Sequence, residues 1–167
     1  MAETKYGKYF IEYDPKQWPA PPQMKGESPY RVISRVDNHV AEGSFYYVVQ
    51  WVLPGIPMGF HPPHIHKYDE LLFHIGANPD DPMDLGAEVE MCMGEELEKH
   101  TFNRSTVLWI PAGLVHSPWT PVSYKPWIVI EVHQGPMHTY KGCHHLLPKK
   151  TREQYKDTLS KVKDEGF

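Results

Sequence analysis

Proline and glycine interrupt this chain so often that little room is left for long helices: 17 prolines and 12 glycines fall within 167 residues. Proline fixes φ and removes a backbone donor, and glycine carries turns, so this density favours short strands joined by tight connections. The length suits one domain with a single core. Apolar residues at 40 % and aromatics at 13 % give enough material to fill it.

The segments between the breakers carry strand composition. Strands are expected at Tyr30–Val36, Ser44–Leu53, Glu70–Ile75, Ala87–Met93, Leu97–Phe102, Thr106–Ile110 and Trp127–His133. Gly94, Glu95 and Glu96 would turn one hairpin, and the stretches Pro54–Pro63 and Pro111–Pro126 read as turns. Residues 1–29, with Pro15, Pro19, Pro21, Pro22 and Pro29, are expected to form an irregular arm. A barrel core would span about residues 30–135. An extension over 136–167 should end in one amphipathic helix, with a capping box from Thr151 to Gln154 and Tyr155, Leu159 and Val162 at helical spacing. Roughly seven to nine short strands and one helix indicate an all-β sandwich or barrel.

Charge narrows the function classes. The formal charge is −4 with no basic block, which argues against nucleic acid as a partner. No apolar run approaches a membrane span and the first residues lack a signal-peptide core, so a cytoplasmic protein is expected. Cys92 and Cys143 are expected as reduced thiols. The acidic run between Asn78 and Glu98 reads as a solvated face.

Histidine is the second excess, with 11 residues scattered along the chain. His64-Ile65-His66 is the informative pattern. On an extended segment residues i and i+2 share a face, so both imidazoles reach one ion. Glu70 follows at an even offset on the same face. Two imidazoles and a carboxylate suit iron, manganese, nickel, zinc or copper. His116, at the end of Pro111-Ala112-Gly113-Leu114-Val115, sits where a turn can present it to a cavity.

These motifs resemble those of the cupin family. Gly59 to Gly76 resembles the first cupin motif, His-x-His followed by Glu and a later glycine. Pro111 to His116 resembles the second, Pro-x-Gly-x-x-His. The resemblance covers roughly residues 40–135. It departs from the pattern in a shorter glycine-to-histidine gap, in Ser105 where glycine is usual, and in Thr120 where asparagine is usual. It implies a jelly-roll barrel, usually dimeric, holding a divalent transition metal (Fe, Mn, Ni or Zn), one per chain, through His64, His66, Glu70 and His116.

Four protein ligands leave open positions for water, dioxygen or a substrate. Phe45, Tyr47, Val49 and Trp51, or their alternates, are expected to line the interior with Leu72, which suits a small aromatic or enol-like ligand. The chain has four arginines, and only Arg104 flanks the motifs, which disfavours a dicarboxylate such as oxalate. Two reaction classes follow: an Fe(II) dioxygenase, or a Lewis-acid decarboxylase, isomerase or hydrolase in which His74 or Tyr47 moves a proton. A non-enzymatic sensing module is a third reading. His61, beyond the bend at Pro62-Pro63, is expected either behind the ligands or at the cavity mouth. His133 is expected either inside the barrel or capping it, and His138, Cys143, His144 and His145 are not expected to form a zinc site.

Overall fold

The computed structural model describes residues 5–6, 9–13 and 28–167. The proline-rich stretch 14–27 of the expected arm lies outside the described residues. Two antiparallel five-stranded sheets face one another. The first has the order β1 (Tyr30–Val36), β2 (Tyr46–Val52), β9 (Trp127–His133), β4 (Glu70–Gly76), β7 (Thr106–Ile110). The second runs β10 (Lys141–Gly142), β3 (His64–Ile65), β8 (His116–Ser123), β5 (Asp84–Met93), β6 (Glu98–Arg104). This is the double-sheet jelly roll, an all-β architecture in which apolar inner faces cover each other.

The strand alternation decides what lies inside. Along β4, Glu70 and His74 are buried, and Leu72 between them packs on the core. On β9, Trp127, Val129 and His133 are buried at the same period of two. On β2 the buried set is Tyr46, Val48 and Val52, so the inner face uses the alternates of the residues named from the sequence. Phe45 is exposed. Val52, Leu85, Val89, Met91, Ile110, Trp119, Trp127 and Val129 close around one another, each such burial stabilising by about 1.5–3 kcal/mol.

The core fills one half of the barrel. His74 belongs to it: the ring is fully buried, stacks on Trp127 with centroids 5.5 Å apart, and accepts a 3.0 Å hydrogen bond from Trp119 Nε1–H. Glu70 lies four residues back along β4, about 13 Å away at strand spacing. The barrel therefore has an aromatic half around His74 and a polar half around Glu70.

Two expectations are corrected. The stretch Pro111–Pro126 is not all turn, because β8 occupies His116–Ser123 within it. Pro118 and Pro121 are tolerated because β8 meets β3 only at the His64–His116 pair, leaving its further length bonded on one side alone. The terminal helix is also split, into α1 (Lys149–Gln154) and α2 (Lys156–Leu159). Pro148 starts α1 without a side-chain cap, so Thr151 lies inside the helix and no capping box forms. Tyr155, between the two, stacks on Phe60 at 4.0 Å and holds this segment against the barrel wall.

Candidate metal centre

β3 and β8 meet at a single residue pair. His64 pairs with His116 across the ladder, and their rings lie 4.2 Å apart. Past β3 the chain bends, and Gly113, in the left-handed region at φ 78°, donates its N–H to His66 O at 3.0 Å. That bond ties the turn before His116 to the segment carrying His66, and only glycine adopts such a φ without strain. β4 then brings in Glu70. Its Oε2 lies 3.5 Å from His66 Nε2 and 3.3 Å from His116 Nε2. The ligand nitrogens of His64, His66 and His116 lie within 4.8 Å of one another.

The far side of each ring fixes its chemistry. Nδ1–H of His64 donates to Pro62 O at 2.8 Å, that of His116 to Leu114 O at 3.1 Å, and that of His66 to Thr139 O. With Nδ1 protonated and bonded outward, each Nε2 carries a lone pair and points inward, the arrangement of metal-binding histidines. Burial, reinforced by neighbouring imidazoles, pushes the His64 ring far below its usual range and His66 to about 3. Burial chiefly, with His133 adding to it, takes His116 to about 4. All three are neutral near pH 7.

Glu70 completes the fit. Its Oε2 is buried, has no hydrogen-bond partner, and faces two nitrogen lone pairs. Burial, and next the charge of Glu131, push its carboxyl well above the ordinary range. A divalent cation at Oε2 would reverse that shift and give all the inward atoms a partner. Bonds of about 2.1 Å to one ion set neighbouring donors about 3 Å apart, as the carboxylate and imidazoles stand here.

The sequence reading has His133 inside the barrel or capping it, and it misses Glu131 and Tyr46 beside this cluster. Glu131 and His133 share the inner face of β9, with His133 Nε2 3.0 Å from Glu131 Oε1. His138 Nε2 approaches the same oxygen at 3.8 Å. Burial would raise the Glu131 carboxyl, but the His133 contact and the surrounding imidazoles drag it far down. Tyr46 packs on His133 at 4.9 Å. The pattern Glu131-Val132-His133 carries the same i, i+2 signal as His64-Ile65-His66, so it was available in the chain.

The structure does not bring His74 or Tyr47 to the cluster. His74 is a core residue, pushed to about 4 by burial. Tyr47 faces outward, its hydroxyl 3.5 Å from Ser34 Oγ. His61 meets the Tyr30 hydroxyl at 3.2 Å and the edge of Trp119. Among the described residues His138, Cys143, His144 and His145 form no common group: His144 bonds the Tyr140 hydroxyl, and Cys143, like Cys92, is a free buried thiol.

No protein-family model matches the chain and no curated protein matches it. Solved structures do. One oxalate decarboxylase structure, concerning an element that modulates proton-coupled electron transfer, is 16 % identical with a TM-score of 0.51, over 83 % of this chain and 37 % of that one. A second, concerning substrate binding mode and a reaction specificity switch, is 15 % identical at 0.51, with the same coverage. A Klebsiella pneumoniae protein with a double-stranded β-helix domain is 15 % identical at 0.46, over 78 % of this chain and 94 % of that one. The chain spans about two fifths of the oxalate decarboxylases it matches, and identities this low speak to the fold. Two facing antiparallel sheets, closed round a buried histidine and glutamate cluster, and the likeness to the two oxalate decarboxylase structures show a double-sheet jelly-roll fold.

Proposed function

We propose that this chain is a metal-dependent enzyme acting on a small aromatic or enol-like molecule, with a divalent ion held by His64, His66, Glu70 and His116. The observation that carries this reading is the convergence of the His66 and His116 Nε2 lone pairs on an unpartnered, buried Glu70 oxygen, with a ring nitrogen of His64 grouped beside them. The ion would supply a Lewis-acidic centre with open positions for dioxygen or substrate. The chain's own residues orient the imidazoles through Pro62, Leu114 and Thr139, while Tyr46 and the neighbouring rings wall one side.

Oxygen-dependent oxidation at Fe(II) is the leading reaction. Oxalate is not the substrate proposed, although it is that of the similar structures. A dicarboxylate would meet Glu131, whose carboxyl is held ionised beside Glu70. The Lewis-acid alternative is supported by that same Glu131 and His133 pair, which places a base beside the candidate centre. Anaerobic reconstitution with Fe, Mn, Ni or Zn, followed by catechols, diketones and hydroxy acids in an oxygen electrode, tests both. Oxygen uptake with Fe(II) supports the first. Turnover without oxygen, or best with Zn(II), replaces it by the second. Stoichiometric binding of one compound with no turnover under any metal would make the chain a sensing module.

A homodimer is also proposed, formed through the outer face of the first sheet. There Trp109 and Val107 are 65 % and 50 % exposed, and Tyr47, Val49 and Trp51 extend the same apolar face.

A further inference from the structure

We propose a second divalent-cation subsite beside the first, made by Glu131, His133 and His138 and sharing Glu70 as a bridging carboxylate. It shares Glu70 with the centre already described and so rests on that reading for its bridge.

Glu70 divides its two oxygens between two sets of donors. Oε2 faces His66 and His116 at 3.5 and 3.3 Å, while Oε1 faces His133 Nε2 at 4.0 Å. His133 Nε2 lies 3.0 Å from Glu131 Oε1, and His138 Nε2 lies 3.8 Å from that same oxygen. Donors on one ion stand about 3 Å apart when adjacent and about 4.2 Å apart when opposite, for bonds of about 2.1 Å. The contacts of His133 with Glu70 and Glu131, and of His138 with Glu131, fall in that range.

Two observations separate this cluster from a buried ion pair. His133 is fully buried, and neither of its ring nitrogens has a hydrogen-bond partner of acceptable geometry, so the contact to Glu131 lacks the alignment of a bond. His138 is oriented as a ligand is. Its Nδ1–H donates to Glu165 Oε2 at 2.9 Å, which leaves the Nε2 lone pair directed towards Glu131. A carboxylate behind an imidazole is the usual support for a metal-binding histidine. An ion pair between Glu131 and His133 would need neither His138 nor Glu165.

Charge points the same way. Glu70 and Glu131 bring carboxylate oxygens within 4.8 Å of each other and of His133. Two ionised carboxylates that close inside a barrel repel strongly, and a cation between them and the imidazoles relieves both. Two imidazoles and two carboxylates, with no thiolate, select borderline to hard ions such as Mn(II), Fe(II) or Zn(II). Glu131 and His138 are 23 % and 25 % exposed, so this subsite is the one nearer solvent.

Metal-free protein without a polyhistidine tag, dialysed against Mn(II) and in parallel Zn(II), should bind two ions per chain by elemental analysis. His138→Ala, His138→Gln and Glu131→Gln should each bind one ion with an unchanged circular dichroism spectrum. Two Mn(II) ions sharing Glu70 should give a spin-coupled low-temperature EPR signal, replaced in His138→Ala by the six-line spectrum of an isolated ion. One ion per wild-type chain with both metals, lost in His116→Ala and kept in His138→Ala, overturns the second subsite and leaves the first centre standing. One ion lost in His138→Ala and kept in His116→Ala supports the new subsite and overturns the first. No binding of either metal overturns both.

Discussion

His64 and His116 are direct partners across the β3–β8 ladder, their rings 4.2 Å apart, although each comes from a different cupin-like motif. One ladder pair therefore sets the distance between the two halves of the candidate centre. The barrel core is built elsewhere, from apolar strands, so His116→Ala should lower metal content by about one ion per chain while circular dichroism stays unchanged. Elemental analysis beside the spectrum reads both. Unchanged metal content would remove His116 from the ligand set.

Thr139 grips the His66 segment twice. Its carbonyl accepts from His66 Nδ1–H, and its Oγ1 accepts the Lys67 N–H at 2.9 Å. Thr139→Val keeps the first bond and orphans the second donor, so it should cost about 1–3 kcal/mol in denaturant unfolding. Thr139→Ser keeps the hydroxyl and should restore most of that stability. Equal losses in the two variants would mean that methyl packing, rather than the hydrogen bond, matters there.

His74 gives the fold an acid limit. Its folded value of about 4 lies below the ordinary 6.5, because burial disfavours the imidazolium. Between those values the unfolded chain binds a proton that the folded chain does not, so stability is full above about pH 6.5 and is lost as pH falls towards 4. The loss attributable to this ring is up to about 3 kcal/mol. Urea melts of wild type and His74→Gln across that window check it: the variant should show a shallower pH slope, and identical slopes would sink the assignment.

Trp127 is fully buried, stacks beside His74, and donates from Nε1–H to Ser123 Oγ at 2.8 Å. Trp127→Ala should cost about 3–5 kcal/mol, measured as a shift in urea midpoint. At Gly76 an added Cβ would sit 2.0 Å from the Asp84 carbonyl oxygen, backbone that cannot move aside. Gly76→Ala should therefore also destabilise, by about 1–3 kcal/mol.

The proposed dimer predicts twice the 19.4 kDa chain mass in light scattering at micromolar concentration. Trp109→Glu should return it to the single-chain mass with unchanged circular dichroism.

Sequence patterning located what depends on local alternation. β7 and β9 have the expected bounds, Thr106–Ile110 and Trp127–His133, and β4 buries Glu70 and His74 together as an even spacing requires. It failed where a residue's neighbours come from other strands. β8 was hidden by Pro118 and Pro121, which read as breakers until the short β3 shows one side of the strand to be unpaired. Tyr47 and Tyr46 cannot be told apart by composition, and pairing with β9 alone decides which faces inward. Thr151 and Gln154 match a capping pattern, but Pro148 opens the helix first. His138 and Glu165 meet only because Tyr140 and Glu165 bridge and fold the end of the chain back on itself.

That returning segment has a consequence for the order of assembly. Thr139 holds the His66 ring, Tyr140 stacks on His64 at 4.6 Å, and Lys141–Gly142 supply the strand that pairs with β3. On the ribosome, His64, His66, Glu70 and His116 all emerge before any of these supports exists. At about 5–20 residues per second, the growing chain carries unsupported ligands for a second or more. Capture of the proposed ion would thus be a late event of biosynthesis, and a ribosome stalled before Thr139 would display imidazoles without the bonds that aim them.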